Sequence, residues 1–192
     1  MRLSPRPSTR FVLVGTQHGE NVGAAARAMK TMGFNDLALV SPRDPKVLQR
    51  QKVIQRASGA TDVLRQTNIY ASLEEALTDR NVVCGTGMPF DMHRKRRQVQ
   101  YETLYVEPRV FFDRLILSKT NDQESDDQMI RLALIFGDER SGMSDSDIVQ
   151  CDAMLGIPTN PIFGSLNLAA AVQVIAYDWR IAIGGHDSYD VD

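Results

Sequence analysis

The sequence predicts a single α/β domain over residues 1–183 of the 192, with a mainly parallel sheet and helices on both faces. Apolar runs typical of buried strands alternate with helical segments, and such alternation favours parallel strands joined by crossover helices. Polar, glycine-containing segments follow several of these runs. Because the carboxyl ends of parallel strands meet at one edge of a sheet, we expect these segments to form a single site.

The first half of the chain is expected to begin with two strands and two helices in alternation. Residues 11–15 and 37–40 are apolar runs that predict strands. Residues 22–32 are rich in alanine and predict a helix that Gly33 ends. Residues 46–57 have the composition of a cationic helix.

The remaining elements follow the same alternation. They are expected at residues 72–78 (a helix with a capping box from Ser72 and Glu75), 81–85 (strand), 107–117 (helix), 132–136 (strand), 153–157 (strand) and 166–183 (helix). The polar, acidic residues 118–128 predict a solvated loop, and residues 184–192 predict a flexible polar tail.

The charge of the chain is unevenly distributed. Residues 1–110 carry 17 Lys and Arg against 10 Asp and Glu, whereas residues 111–192 carry 5 against 14. Such polarity can present a basic face to nucleic acid although the net charge is −2, but a random distribution over solvated surfaces is equally compatible with it. The run Arg94, Lys95, Arg96 and Arg97 suits an RNA backbone, and its alternative is a solvated charge run.

Composition and spacing exclude several classes of protein. The sequence contains neither a signal-peptide pattern nor an apolar run that could span a bilayer. The two cysteines, Cys84 and Cys151, adjoin apolar residues and predict buried reduced thiols, which favours a cytoplasmic location. The three histidines are scattered, so no metal site is expected.

Three polar segments carry the candidate site. Gly137 and Gly142 allow a tight turn around Glu139, although a plain charged turn has the same composition. This segment lacks the Lys-Ser/Thr end of a phosphate loop, which disfavours ATP or GTP hydrolysis. Ser165 is a natural N-cap for the last helix, and Asn167 is expected two residues inside it.

The third segment opens the first helix. Asn21 is expected to precede that helix as its N-cap, and Arg27 lies near its middle among alanines. A guanidinium is planar and always charged, so Arg27 could bind a phosphate in bidentate fashion or pair with a buried carboxylate.

Taken together, three stretches resemble the motifs of the SPOUT superfamily, in its SpoU/TrmH-type group of RNA ribose 2′-O-methyltransferases, and are most similar to the TrmJ type. The stretches are NVGAAARAMKTMGFNDLALVSP, ALIFGDERSGMSDSDIVQCD and IPTNPIFGSLNLAAAVQVIAYDWR. The resemblance covers residues 10–182. It implies a deep C-terminal trefoil knot, S-adenosylmethionine as cofactor, and a homodimer with the active site at the interface.

The resemblance also implies roles for individual residues. The implied cofactor-binding residues are Thr86, Gly87, Met88, Gly137, Ile157, Gly164, Ser165 and Leu166. The implied catalytic set is Arg27, Asn21, Glu139, Ser165 and Asn167, with Arg27 contributed by the opposite protomer.

The implied substrate is the tRNA anticodon loop, at nucleotide 32. Many members of this type carry a C-terminal extension that helps to bind tRNA, and the basic run at residues 94–97 is expected to supply contacts of that kind. Ribosomal RNA as substrate and a catalytically silent RNA-binding SPOUT protein remain alternatives. A nicotinamide oxidoreductase fits the α/β pattern, but the chain lacks the G-x-G-x-x-G fingerprint.

Overall fold

A computed structural model describes residues 7–88, 104–121 and 129–185. Seven strands form one sheet in the order β3-β2-β1-β6-β4-β7-β5, and every neighbouring pair is parallel. The strands are β1 (Ser8–Val14), β2 (Asp36–Val40), β3 (Asn68–Tyr70), β4 (Val82–Gly87), β5 (Leu104–Val106), β6 (Arg131–Phe136) and β7 (Ala153–Gly156). The predicted parallel sheet is therefore confirmed.

Helices cover both faces of this sheet, as the sequence predicts. They are α1 (Gly19–Thr31), α2 (Gln51–Ala57), α3 (Thr61–Gln66), α4 (Leu73–Leu77), α5 (Pro108–Asn121), α6 (Asp145–Ile148) and α7 (Leu168–Ala182). Buried side chains of α1, α2, α3, α5 and α7 share one core cluster with the sheet, and those of α4 and α6 share the other. Trp179 of α7 is fully buried and donates a 2.8 Å hydrogen bond to Thr9 Oγ1 of β1.

The predicted cationic helix at residues 46–57 is interrupted. Residues Val47–Gln49 form a 3₁₀ turn, and α2 begins only at Gln51 because the backbone of Arg50 is extended, with φ −72° and ψ 129°. The prediction that Gly33 ends the first helix is confirmed. Gly33 follows the C-terminus of α1 with φ +77°, a conformation that favours glycine.

Two other boundaries differ from the prediction. Helix α5 continues to Asn121, so the prediction of a solvated loop over residues 118–128 is wrong for residues 118–121, which are helical. Residues 122–128 lie outside the described ranges. The capping box at Ser72 is half confirmed, because Ser72 Oγ accepts from the Glu75 N–H. The Glu75 carboxylate accepts instead from the N–H of Ala71. Of the predicted tail, only residues 184 and 185 are described.

Helices α1 and α2 pack unusually close together at Gly23. A Cβ atom at this position would lie 2.1 Å from the backbone oxygen of Val53 and 3.0 Å from the Cβ of Arg56. Glycine therefore allows two helix backbones to meet where any side chain would force them apart.

Both cysteine thiols are free and buried, as predicted. Burial raises the pKa of Cys84 well above its ordinary value, and it raises the pKa of Cys151 to about 12. Because the thiolate is the reactive form, we expect neither thiol to react with iodoacetamide at pH 8 in the native protein and both to react in denaturant. Mass spectrometry after labelling would measure this, and rapid native labelling of either cysteine would contradict it.

Candidate functional site

A cavity of about 820 Å³ lies at the carboxyl edge of the sheet, where the ends of β4, β6 and β7 meet the N-terminus of α7. Its walls combine apolar and polar side chains with exposed backbone. The lining residues include His18, Asn21, Thr86, Gly87, Met88, Phe136, Gly137, Asp138, Glu139, Met143, Ile148, Met154, Ile157, Gly164, Ser165, Leu166, Asn167 and Leu168. The prediction that the three motif segments meet at one edge is therefore confirmed.

The loop after β6 forms a closed turn that requires glycine at one position and favours it at a second. A Cβ atom on Gly137 would lie 2.3 Å from the carbonyl carbon of Gly142, and Gly142 itself has φ +69°. Within the turn, one carboxylate oxygen of Asp138 accepts hydrogen bonds from the N–H groups of Arg140 and Ser141 at 2.8 and 2.9 Å. Burial acts to raise the pKa of Asp138, but these hydrogen bonds outweigh it and the pKa is lowered.

Glu139 joins this loop to the start of α1. Its carboxylate accepts from the backbone N–H groups of Gln17 at 2.8 Å and His18 at 3.3 Å, and from Asn21 Nδ2 at 2.9 Å. His18 occupies the N-cap position of α1 without a capping side-chain bond. Both backbone donors precede the helix, which begins at Gly19, but the helix dipole favours negative charge at this end, so the Glu139 carboxylate stabilises the start of α1.

Asn21 therefore lies inside the first turn of α1, and the prediction that it precedes the helix as N-cap is wrong. The helix begins two residues before Asn21, at Gly19, with His18 at the N-cap position. This frees the Asn21 side chain to bridge between Glu139 and the last helix.

The N-cap of α7 is Asn167, so the assignments of Ser165 as the cap and of Asn167 to the helix interior are wrong. Asn167 Oδ1 accepts from the N–H of Ala169 at 3.0 Å, and Nδ2 donates to Asn21 Oδ1 at 3.0 Å. Both residue types are good caps, but only Asn167 has this additional tertiary partner. Asn167, Asn21 and Glu139 thus form one continuous hydrogen-bonded chain.

The predicted site residues divide into two groups in the structure. The cavity is lined by all eight residues implied for the cofactor and by four of the five implied for catalysis, namely Asn21, Glu139, Ser165 and Asn167. Arg27 is exposed on α1 and does not line the cavity. The predicted RNA-binding residues Arg94, Lys95, Arg96 and Arg97 lie outside the described residues.

One important contact has no signal in the local sequence. Gln17, at the end of the β1–α1 connection, donates from Nε2 to Asp138 Oδ2 at 2.5 Å and accepts from Arg43 Nη1 at 3.0 Å. Gln17 and Asp138 are 121 positions apart, so their pairing depends on the β1–β6 register. Besides the hydrogen bonds of Glu139 itself, this contact provides a second link between the loop after β6 and the β1–α1 connection.

Within residues 7–88, 104–121 and 129–185, no helix has both the length and the apolar character required to cross a membrane. In the same part of the chain, no group of three or more His, Cys, Asp or Glu side chains has an arrangement that could hold a metal ion.

Comparison with known proteins places this architecture in a family. The model of the SpoU rRNA methylase family matches residues 8–177. A tRNA (cytidine/uridine/adenosine-2′-O-)-methyltransferase TrmJ of Pseudomonas aeruginosa is 39% identical over 173 residues, which is 90% of this chain and 60% of that protein. The chain spans 60 to 64% of the length of the first curated relatives that it matches.

Solved structures give the same result. A probable methylase family protein from Haemophilus influenzae superposes with a TM-score of 0.75 at 32% identity, over 92% of this chain and 66% of that one. TrmJ from Z. mobilis superposes with a TM-score of 0.70 at 31% identity, over 95% and 72% respectively. The fold agrees with these structures, and since the family model covers most of the chain, the chain belongs to the SpoU rRNA methylase family.

Proposed function

We propose that this protein transfers a methyl group from S-adenosylmethionine to a ribose 2′-hydroxyl of RNA, with tRNA as the main substrate. The observation that carries the proposal is the convergence of all three motif segments on one cavity at the carboxyl edge of the sheet. Relatives at 39 and 40% identity are named as tRNA 2′-O-methyltransferases of the TrmJ type, which supports tRNA over other RNAs.

The cavity fits such a cofactor in size and chemistry. Its volume of about 820 Å³ lies within the range of small-molecule sites. Side chains such as Met143, Ile148 and Met154 offer an apolar surface to a purine ring. At Gly164, a Cβ atom would lie 2.7 Å from Thr159 Oγ1, so glycine keeps the loop tightly folded beside the cavity.

The cofactor, when bound, supplies an electrophilic methyl group on a positively charged sulfur. Transfer forms one C–O bond, breaks one S–C bond and releases the hydroxyl proton, so the protein must align the hydroxyl and accept or relay a proton. Glu139, Asn21 and Asn167 hold the N-termini of α1 and α7 against each other, which fixes the walls around the ribose.

Arg27 is proposed to bind the phosphate next to the target ribose. A guanidinium is planar and can donate two parallel hydrogen bonds, which suits a phosphate clamp better than a general base. Proton loss would then be assisted by that phosphate, by water or by Ser165, which lies at the cavity.

The site is proposed to be completed by a second copy of the chain. Arg27 is exposed and does not line the cavity of its own chain. Ile162 and Phe163 are 94% and 84% exposed in the loop that leads to Ser165. A homodimer would cover these apolar side chains and bring Arg27 of one protomer to the cavity of the other.

Two further features belong to the proposal. The C-terminal part is proposed to form the deep trefoil knot of the SPOUT superfamily. In support, β7 follows β4 and β5 in sequence but lies between them in the sheet, as threading would require. A cytoplasmic location is proposed because the substrate is tRNA and both thiols are free.

Ribosomal RNA is the second candidate substrate, since the matching family is described by rRNA methylation. Incubation of the purified protein with labelled S-adenosylmethionine and separate tRNA and ribosomal RNA fractions would test both. We expect label in tRNA, and mapping of the methylated ribose would test nucleotide 32. Label in ribosomal RNA alone would favour the alternative, and no label in either fraction would contradict the proposal.

A further inference from the structure

We infer that the adjoining surfaces of α1 and α2, with the segment before α2, bind the phosphate backbone of the RNA substrate. The inference rests on the proposed function and extends it to residues outside the cavity. The starting observation is a concentration of charge: residues 43–56 contain five Lys or Arg and a single acidic residue, Asp44. Runs of charged residues are common on solvated surfaces. Two further observations therefore decide whether this one binds RNA: where its side chains lie, and whether nearby carboxylates pair with them.

The placement follows from contacts between the two helices, which run side by side in the same direction. At their beginning, Lys52 Nζ lies 3.5 Å from a carboxylate oxygen of Glu20. One turn later, Gly23 allows the Cβ of Arg56 to approach the α1 backbone. Beyond the end of α2, Lys30 Nζ donates to the backbone oxygen of Gly59 at 2.9 Å. Side chains of both helices therefore line one surface, which extends for about 15 Å from Glu20 to Lys30 at 1.5 Å per residue.

Every carboxylate on this surface is already engaged by a cation. Glu20 is the partner of Lys52, Asp62 accepts from Lys30 Nζ at 2.7 Å, and Asp44 accepts from Arg50 at 2.5 Å. The hydrogen bond from Arg50 lowers the pKa of Asp44, and that from Lys30 lowers the pKa of Asp62. Each of these acidic groups therefore already has an ion-pair partner, and Asp44 also lies close enough to Lys46 for a Coulombic interaction.

Four cations of this surface form no ion pair with any described residue. Within the part of the chain that the structure describes, Arg27, Lys46 and Arg56 have no ion-pair partner, and Arg43 donates only to the neutral side chain of Gln17. All four are exposed. We call these residues, Arg27, Arg43, Lys46 and Arg56, the basic surface.

The basic surface borders the cavity. Arg43 is bonded to Gln17, which in turn contacts Asp138 of the cavity wall. An RNA strand whose ribose enters the cavity would thus have a neighbouring phosphate beside Arg43, from which the basic surface continues along α2. Each cation that contacts a phosphate releases condensed counterions, so binding through this surface must depend on salt concentration.

The experiment measures the affinity of unfractionated tRNA by fluorescence anisotropy at several KCl concentrations. The variant is the double substitution Lys46→Ala and Arg56→Ala, which avoids Arg27 and the Gln17 contact of Arg43. We expect the slope of log K against log[KCl] to become shallower by about 1.4 to 1.8, or 0.7 to 0.9 for each lost phosphate contact. Affinity near 0.1 M KCl should fall on the order of tenfold.

Two control variants separate charge from other effects. Lys46→Arg with Arg56→Lys keeps both charges and should retain the wild-type slope. Arg114→Ala removes an exposed arginine from α5, which packs against α7 and β7 and away from α2, and should also leave the slope unchanged. Affinity for S-adenosylmethionine, measured by calorimetry, should be equal in all variants.

The possible outcomes distinguish this inference from the proposed function. If the wild-type protein methylates tRNA but the double alanine variant keeps its slope, the basic surface does not contact RNA and the inference alone is overturned. If the wild-type protein neither binds nor methylates RNA, both fail together. Binding of the basic surface to anionic lipid vesicles, with an unchanged RNA slope, would assign the surface to a membrane and would also overturn the inference.

Discussion

Replacement of Arg27 by alanine should reduce methyl transfer at least about a hundredfold while the affinity for S-adenosylmethionine stays at the wild-type value. The expected loss reflects the sensitivity of in-line transfer to misplacement of the acceptor oxygen. The cofactor should be unaffected because Arg27 is proposed to contact a phosphate of the RNA and not the cofactor. Single-turnover methylation of tRNA and calorimetry with the cofactor would measure the two effects.

A second variant tests the geometry of this clamp. Arg27→Lys keeps the positive charge but loses the planar fork that binds phosphate at two points, so its activity should lie between those of the wild type and the alanine variant. Loss of cofactor binding in Arg27→Ala would contradict the assignment, because it would place the guanidinium in the cofactor site. Full activity of the alanine variant would contradict it as well.

Replacement of Glu139 by alanine should weaken cofactor binding and turnover together, each by at least about tenfold. The carboxylate accepts three hydrogen bonds that hold the start of α1 against the loop after β6. Its loss leaves two backbone N–H groups and the Asn21 amide without their acceptor, which costs about 1 to 3 kcal/mol for each group that stays buried. Calorimetry, steady-state methylation and thermal unfolding would measure these effects.

Two matched variants test whether the loss in Glu139→Ala is due to the missing hydrogen-bond acceptor at this position. Glu139→Gln keeps one oxygen acceptor without the charge, so it should be less impaired than the alanine variant. Glu74→Ala removes an exposed carboxylate from the first turn of α4, on the opposite face of the sheet, and should be close to wild type. Equal impairment of Glu74→Ala and Glu139→Ala would show that the hydrogen bonds between Glu139 and the start of α1 have no special role.

The predicted strands were located well because their own residues determine them. Residues 132–136 are entirely apolar and become the buried strand β6, flanked on both sides by parallel strands. The short elements α3, β3, β5 and α6 were not predicted, since each has only three to six residues and no clear periodicity. Their conformation depends on contacts with the rest of the fold rather than on local propensity.

The candidate site shows the same division between local and distant causes. Glycine-rich turns after strands were sufficient to predict which segments would meet, and the cavity contains them. The choice of Asn167 over Ser165 as helix cap could not be predicted, because it depends on Asn21, 146 positions away. The contact between Gln17 and Asp138 is of the same kind. Side-chain bonds between distant segments have no periodicity by which a single sequence could reveal them.

The pairing of β1 with β6 has a consequence for biosynthesis. Ser8 lies opposite Arg131, so β1 cannot complete its pairing until the distant strand β6 has also been translated. Until then, the nascent chain carries an apolar β1 with one open edge, which is a site for misassociation. Cooperative folding of this domain therefore waits for the synthesis of β6, and its yield in cells depends on protection of that edge during translation.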